Sequence, residues 1–399
     1  MITVADVQAA RERVKERIYY SPCPRSQRLS ELTGCELHLK LENLQMTGSF
    51  KERGALNKLL LLDDEQRARG VIAASAGNHA QGLAFAALRE GVATTIVMPV
   101  GTPLIKVSAT RRHGAEVVLH GESYDDAAAE ARRLAEARRL TQVHPFDDDA
   151  VMAGQGTVAL EVLEQVPDVE AVLVPVGGGG LAGGVAVAIK GLRPEVKVFG
   201  VEPSVLPSMQ RGLAAGEPVA VGPGRTLADG IAVRSVSART LEHGRLLDGI
   251  ALVDEEEIAE AILLLLEQEK TVAEGAGAAP LAAALQGQLP IAGKRVVMLL
   301  TGGNIDVNVL ARIIERGLVK SGRSMRVRVL IPDVPGALAS LLATTARCQA
   351  NVLEVHHDRF APRTDPGLTA VELVLETRGF DHIEEIEAAI SDEGWLIAG

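Results

Sequence analysis

The 399-residue chain predicts an α/β protein in which parallel strands are covered by helices, followed by a small C-terminal domain of βαββαβ order. Two observations carry this expectation. Alanine-rich amphipathic stretches alternate with short runs rich in Val and Ile, and strands buried on both faces read as such continuous apolar runs. The alternation holds to about residue 318, where "LVKSGRSM" interrupts it with small and basic residues suited to a linker, and a different rhythm follows.

In chain order the predicted strands are "GVIAAS" (70–75), "ATTIVMP" (93–99), "AEVVLH" (115–120), "AVLVPV" (171–176), "KVFGVE" (197–202) and "RVVMLL" (295–300), each leading into a helix. "GESYDDAAAEARRLAEARR" (121–139) shows why, with apolar positions at helical spacing and arginines on the opposite face. An earlier helix is predicted from "TGSFKERGA" (47–55). There Ser49, followed three residues later by Glu52, reads as a capping box and places Lys51 in the first turn. Past a linker at 321–325, "MRVRVLIP" alternates like a half-buried strand and "DVPGALASLLATTARCQA" reads as a turn entering a helix. "NVLEVHHDRF" and "TAVELVLET" read as strands, and "FDHIEEIEAAISDE" as a last helix before the apolar end "GWLIAG". The order βαββαβ is the ferredoxin-like arrangement.

Composition bounds the function. A hydrophobic content of 47% supports large buried cores. A net charge of -11 and a pI near 5.4 argue against a nucleic-acid surface or a polybasic membrane contact, so small solutes are the expected partners. Cys23, Cys35 and Cys348 form no CxxC pair and no metal-ligand spacing, and their odd number fits a reducing cytoplasm. "MITVADVQAARERVKERI" lacks the apolar core of a signal peptide, and "KLLLL" and "AILLLL" are far shorter than a bilayer span.

Four segments carry chemistry. Helix-end amide dipoles disfavour a cation, so Lys51 is either a solvated lysine offset by Glu52 or a lysine that must be neutral part of the time to act as a nucleophile. "SAGNHAQG" (75–82) follows a strand and opens a helix, which gathers backbone amides into an anion site suited to a carboxylate, with Asn78 beside it. A tight turn capped by Asn78 explains the same residues. In "AVLVPVGGGGLAGG" (171–184), the consecutive Gly177, Gly178, Gly179 and Gly180 sacrifice chain entropy, so something approaches that backbone closely. A phosphate held by N–H groups is the leading explanation. Gly178, Gly180 and Gly183 also satisfy a dinucleotide fingerprint with Glu202 on a later strand, which leaves an NAD-dependent oxidoreductase open. Several βα units precede this loop and no P-loop lysine accompanies it, so a phosphate monoester on a smaller cofactor fits better. "VVMLLTGGN" (296–304) ends a strand with the Thr301 hydroxyl at its tip.

In this order, "SFKERGA", "SAGNHAQG", "GGGGLAGG" and "TGGN" resemble the motifs of the fold-type II pyridoxal-phosphate enzymes, of tryptophan synthase beta-like fold, and specifically the threonine dehydratases or threonine ammonia-lyases. "HPFDD" (144–148), "AGQGT" (153–157), "LADG" (227–230) and "VAEGAGA" (272–278) are similar too, and the likeness covers residues 5–318. The resemblance implies a catalytic domain at 1–320 with two parallel-sheet subdomains, the smaller at about 46–150 inserted in the larger. It implies pyridoxal 5'-phosphate bound covalently to Lys51, which also serves as the base. The phosphate would rest on Gly177, Gly178, Gly179, Gly180 and Leu181. Asn78 would meet the ring hydroxyl, Thr301 the ring nitrogen, and Phe50 and Phe146 the ring faces. Ser75, Ala76, Gly77, Asn78 and His79 would surround the substrate carboxylate. A hydroxyl at Thr301 supports a weaker electron sink than a carboxylate, which favours loss of a β-substituent over transamination.

The implied reaction converts L-threonine to 2-oxobutanoate and ammonia, and L-serine to pyruvate, with a serine dehydratase or racemase on the same scaffold as the alternative. Ala76 stands where serine racemases present a serine base, and Ser208 stands where divalent-cation members place an acidic residue, so no metal site is expected. Residues 326–399 resemble an ACT domain. That likeness implies an amino-acid effector, such as isoleucine or valine, at Asp333, Gly336, Ala337 and Asn351, coupled to the catalytic site by about 1 to 3 kcal/mol. It also implies pairing of subunits into a homodimer or homotetramer. A dimerisation module without ligand explains the segment as well. His356 and His357 alternate faces of a strand and are poor joint metal ligands. A non-enzymatic amino-acid sensor is a further reading, against which the retained Lys51 stands.

Overall fold

The six strands predicted for the first part of the chain all form in two parallel sheets of the computed structural model, five inside a sheet and Glu116–Leu119 at an edge, and the structure describes residues 1–360 and 365–398. The larger sheet runs Glu36–Leu41, Arg295–Leu300, Ala171–Pro175, Lys197–Pro203 and Gly249–Val253. The smaller runs Glu116–Leu119, Thr94–Met98, Val71–Ala74 and Thr141–Gln142. Contacts divide the chain into Met1–Ile305, which holds both sheets, and Asp306–Gly399. Glu36–Leu41, Gly249–Val253 and Thr141–Gln142 were not legible as strands. All three are sheet edges, and the first, "ELHLKL", alternates charge with leucine as no strand buried on both faces would.

One helix joins the layers of the first unit. Asp149–Gln165 is buried through most of its length and crosses Lys51–Leu60 on one side and Gly180–Leu192 on the other. Each crossing is made backbone to backbone through glycine. A Cβ on Gly154 would lie 2.6 Å from the Cα of Gly54, and one on Gly156 would lie 2.7 Å from the carbonyl oxygen of Gly184. The "AGQGT" glycines are therefore contact points between helices.

A buried charge network adjoins the first crossing. Arg53 is wholly buried, and its guanidinium donates to both Glu42 oxygens at 2.7 and 2.8 Å and both Glu161 oxygens at 2.7 and 2.9 Å. Lys40, also wholly buried, donates to Glu161 at 2.6 Å, to the Ser21 carbonyl at 2.6 Å and to Gln165 at 2.9 Å. Two cations thus face two carboxylates. Attraction to Glu42 and Glu161 holds the Arg53 pKa above its ordinary value against burial, and Arg53 draws the Glu42 pKa below the usual carboxylate range although burial opposes it.

The second unit holds the helix Val307–Lys320 and a four-stranded antiparallel sheet in the order Asn351–Asp358, Leu368–Glu376, Ser324–Pro332, Leu396–Ala398. With the helices Ala337–Arg347 and Phe380–Asp392 the chain order is βαββαβ, and the core gathers Val329, Leu341, Leu373 and Ile386. The 321–325 segment read as a linker holds a turn at Ser321 and Gly322 and the first residues of Ser324–Pro332. Gly399, the end of the predicted last strand, lies outside the described residues. Among the described residues no helix is long and apolar enough to cross a membrane. All three cysteines are free.

Replacing Arg53 by Leu leaves Glu42 with only the weaker donors Ser21 and Gln45 in a buried site. Unpairing a buried charge costs about 3–5 kcal/mol. Urea unfolding followed by far-UV circular dichroism is expected to show a loss of that order.

Candidate active site

Lys51 is the first residue of Lys51–Leu60, but not through the predicted capping box. The N-cap is Phe50, in helical conformation and with no side-chain cap bond. Glu52 instead accepts from the Thr47 backbone N–H, and the Ser49 hydroxyl is buried without a partner. Tertiary contacts override the local motif: Ser49 forms a backbone bridge with Gly302, and the Phe50 N–H donates to the Thr301 carbonyl at 3.1 Å. The lysine is thereby tied to the end of Arg295–Leu300.

Lys51 Nζ donates to the Pro145 carbonyl at 3.2 Å and lies 5.1 Å from the centre of the Phe50 ring. Burial lowers its pKa to about 8, with the Glu274 charge opposing the shift. Lys51 is thus not a fully solvated lysine: it is half-buried, and its amine is bonded to a backbone carbonyl. Asn78–Glu90 crosses close by, where a Cβ on Gly82 would lie 3.1 Å from the Lys51 carbonyl carbon.

The "SAGNH" segment places Ser75, Ala76, Gly77 and Asn78 half-buried at the start of that helix, with His79 buried behind them. Gly77 is the N-cap and faces open space, so Asn78 is not the cap but the first helical residue. Its side chain is held from both ends: Nδ2 donates to both oxygens of Glu274 at 2.7 and 3.0 Å, and Oδ1 accepts from Asn304 at 2.8 Å. The His79 Nε2–H donates to the Val143 carbonyl at 2.9 Å, which leaves Nδ1 buried and without a partner. Burial, and then the neighbouring Lys51 charge, push the His79 pKa down to about 3, so this imidazole is neutral at working pH.

Among the described residues, the N–H groups of Gly177, Gly178, Gly179, Gly180, Leu181 and Ala182 donate to no backbone carbonyl. Such a cluster of uncommitted donors at the start of Gly180–Leu192 suits an anion. Gly179 has φ +88°, a conformation that favours glycine. Close protein neighbours also enforce the run: a Cβ on Gly177 would lie 2.9 Å from the Ile231 Cα, on Gly180 2.9 Å from the Phe146 Cα, and on Gly178 inside the Phe146 ring. Gly183 packs against His243 and Met152, so its place in a dinucleotide fingerprint has a packing cause, and Gly184 beside it packs against the Met152 backbone.

Glu202 does not serve as a ribose ligand. It is fully buried and accepts from the N–H groups of Met209 at 2.8 Å and Gln210 at 2.9 Å, at the start of Ser208–Ala215. Burial raises its pKa to about 7. Among the described residues no three His, Cys, Asp or Glu side chains cluster as a metal-ligand set.

Pro145, Glu274 and Asn304 belong to the site but were not singled out from sequence. Glu274 and Asn304 stood inside the quoted "VAEGAGA" and "TGGN", where a carboxylate or amide flanked by small residues is the available signal. Glu274 is the N-cap of Gly275–Leu285 but makes no side-chain cap bond, and burial raises its pKa to about 7.

In the second unit, Gly336 has φ +92° and is the N-cap of Ala337–Arg347, while Asp333 pairs with Arg359 at 3.2 Å. Asp333, Gly336 and Ala337 share the turn that follows Pro332, which is in register with Leu368. Asn351 is opposite Glu376, which pairs with Ser324 at the other end of the sheet. The nine residues of Ser324–Pro332 span roughly 27 Å. The expected effector residues thus form two groups at opposite ends of the sheet rather than one cluster.

The family model described as "Pyridoxal-phosphate dependent enzyme" matches residues 14–302. A protein of Thermotoga maritima named L-threonine ammonia-lyase is 50% identical over 398 residues, covering 100% of this chain and 99% of its own length. Among solved structures, the processed form of threonine deaminase isoform 2 from Solanum lycopersicum superposes with a TM-score of 0.75 at 38% identity, covering 78% of this chain and 86% of that one. Serine racemase from Dictyostelium discoideum does so with a TM-score of 0.73 at 36% identity, covering 77% and 99%.

Because only the free amine attacks a carbonyl carbon, covalent capture of pyridoxal phosphate by the cofactor-free protein is expected to quicken as pH rises through about 8. A solvated lysine would reach half its limiting rate only at about 10.4. Rapid-mixing absorbance across pH checks this.

Proposed function

The chain belongs to the family of pyridoxal-phosphate dependent enzymes, and from that premise we propose that it is a threonine ammonia-lyase. It would convert L-threonine to 2-oxobutanoate and ammonia, and L-serine to pyruvate. The observation that carries this reading is the Lys51 amine, whose pKa burial lowers to about 8 where it opens a helix beside the Asn78 helix start.

The residues present fit the cofactor. The uncommitted amides from Gly177 to Ala182 would hold its phosphate, Lys51 Nζ would bond its aldehyde carbon, and the Asn78 side chain would address its ring hydroxyl. The buried, unpartnered hydroxyls of Thr47 and Ser49 border the same lysine in sequence. Thr301, buried at the tip of Arg295–Leu300, would offer its hydroxyl to the ring nitrogen. When bound, the cofactor withdraws electron density from the substrate Cα and makes its proton removable.

The protein's own groups then divide the work. The amides at the start of Asn78–Glu90 receive the substrate carboxylate, which complements the positive end of the helix. Lys51, released to the free amine, takes the proton from Cα. His79, held neutral with a very low pKa, does not compete for that proton. Ala76 supplies no second base for the opposite face, which sets this site apart from a racemase despite the likeness in fold.

The second unit reads as an ACT-type regulatory domain that takes an amino-acid effector such as isoleucine or valine. Its Asp333 turn and Asn351 lie at opposite ends of one sheet, so both would address one ligand only across a pair of subunits. A homodimer or homotetramer meets that requirement, and a cytoplasmic location fits the free cysteines.

Steady-state 2-oxo acid formation from L-threonine and L-serine tests the activity. Lys51→Ala is expected to lower turnover at least about 100-fold while circular dichroism stays unchanged; unchanged turnover removes the proposed chemistry. From L-serine, pyruvate release is expected to outpace D-serine formation, read by chiral chromatography. Isoleucine or valine is expected to shift the apparent substrate affinity by about 5- to 150-fold, and a response below that range leaves the second unit as a pairing module.

A further inference from the structure

Asn78 is useful to a ring hydroxyl only if its nitrogen, not its oxygen, points the right way. The two ends of an amide have nearly the same shape, so the surroundings must choose. Three observations show that they do. Glu274, an acceptor at both oxygens when ionised, takes Asn78 Nδ2 at 2.7 and 3.0 Å. Asn304 Nδ2 donates to Asn78 Oδ1 at 2.8 Å, and its own orientation is set by the Thr47 carbonyl, which it reaches at 2.7 Å. Exchanging the ends of Asn78 would set oxygen against carboxylate and N–H against N–H.

Room for this arrangement is built into the chain. A Cβ at Gly302 would lie 2.5 Å from Glu274 Oε1, and one at Gly230 would lie 3.3 Å from the same oxygen. Glu274 makes no cap bond to its own helix, so the carboxylate is turned to Asn78 instead. The clamp also joins the two sheets. Asn78 starts the helix that follows Val71–Ala74 of the smaller sheet, whereas Asn304 follows Arg295–Leu300 of the larger.

We propose that Glu274 is a positioning residue: together with Asn304 it fixes the Asn78 amide so that one Nδ2 hydrogen goes to Glu274 and the other is left as the donor to the ring hydroxyl of pyridoxal phosphate. This rests on the cofactor assignment and not on the identity of the substrate.

The test is titration of the cofactor-free protein with pyridoxal phosphate, reading the dissociation constant and the visible absorption maximum, with far-UV circular dichroism as the check on folding. Glu274→Ala is expected to weaken binding roughly tenfold and to move the absorption maximum, because the ring oxygen loses its oriented donor. Glu274→Gln, whose Oε1 accepts the same bond, is expected to restore the wild-type band. Asn304→Ala reads the same amide from its other end and is expected to move the band as Glu274→Ala does, which keeps the test open should that variant fail to fold. A Glu274→Ala protein with wild-type affinity and band, or a Gln variant displaced as far as the Ala variant, overturns this inference alone. A wild-type protein that forms no absorbing adduct overturns the cofactor assignment together with it.

Discussion

Arg53 and its two carboxylates form the constraint on which the site depends. The guanidinium lies two residues beyond Lys51 on one helix, and its planar fork meets Glu42 and Glu161 with two bonds each. Glu161 belongs to Asp149–Gln165, and Glu42 follows the edge strand Glu36–Leu41. A buried ion network gives little net stability, because desolvation offsets most of the attraction. What it does give is direction. The four bonds hold the Lys51 helix in the placement that meets both carboxylates, and that placement sets where the lysine amine emerges.

Glycine contacts act alongside the network. The close crossings at Gly54 with Gly154 and at Gly156 with Gly184 bind the lysine helix and the glycine-loop helix to the same central helix. The proposed phosphate donors and the proposed nucleophile are consequently held against one central helix rather than by separate loops. Such preorganisation is what a site needs when its chemistry relies on orientation. The glycine loop serves both ends: its side chains are absent because Phe146 and Ile231 press against it, and its amides remain uncommitted because they start a helix.

The two units carry different physics. In the first, charges and amides are buried and held by long-range bonds. In the second, Asp333 with Arg359 and Asn351 with Glu376 pair at partly exposed positions, where solvent weakens ion pairs and hydrogen bonds. Residues of that kind gain strength when a second surface excludes water, as the proposed subunit pairing would do.

The sequence by itself determined what depends on near neighbours: the Val-rich strands, the βαββαβ order of the tail and the glycine run. Each is written in spacing or composition over a few residues. Tertiary structure decided what depends on distant partners. "ELHLKL" is a strand because it pairs with Arg295–Leu300, far along the chain, and its Lys40 is accommodated because it finds Glu161, 121 residues later. Ser49 and Glu52 form no capping box because Gly302 and Thr47 take their backbone and side chain. Asn78 is oriented by Glu274 and Asn304, 196 and 226 residues away. A hydrogen bond is indifferent to sequence separation, so the partner of a buried polar group becomes legible only once the chain has brought the two together.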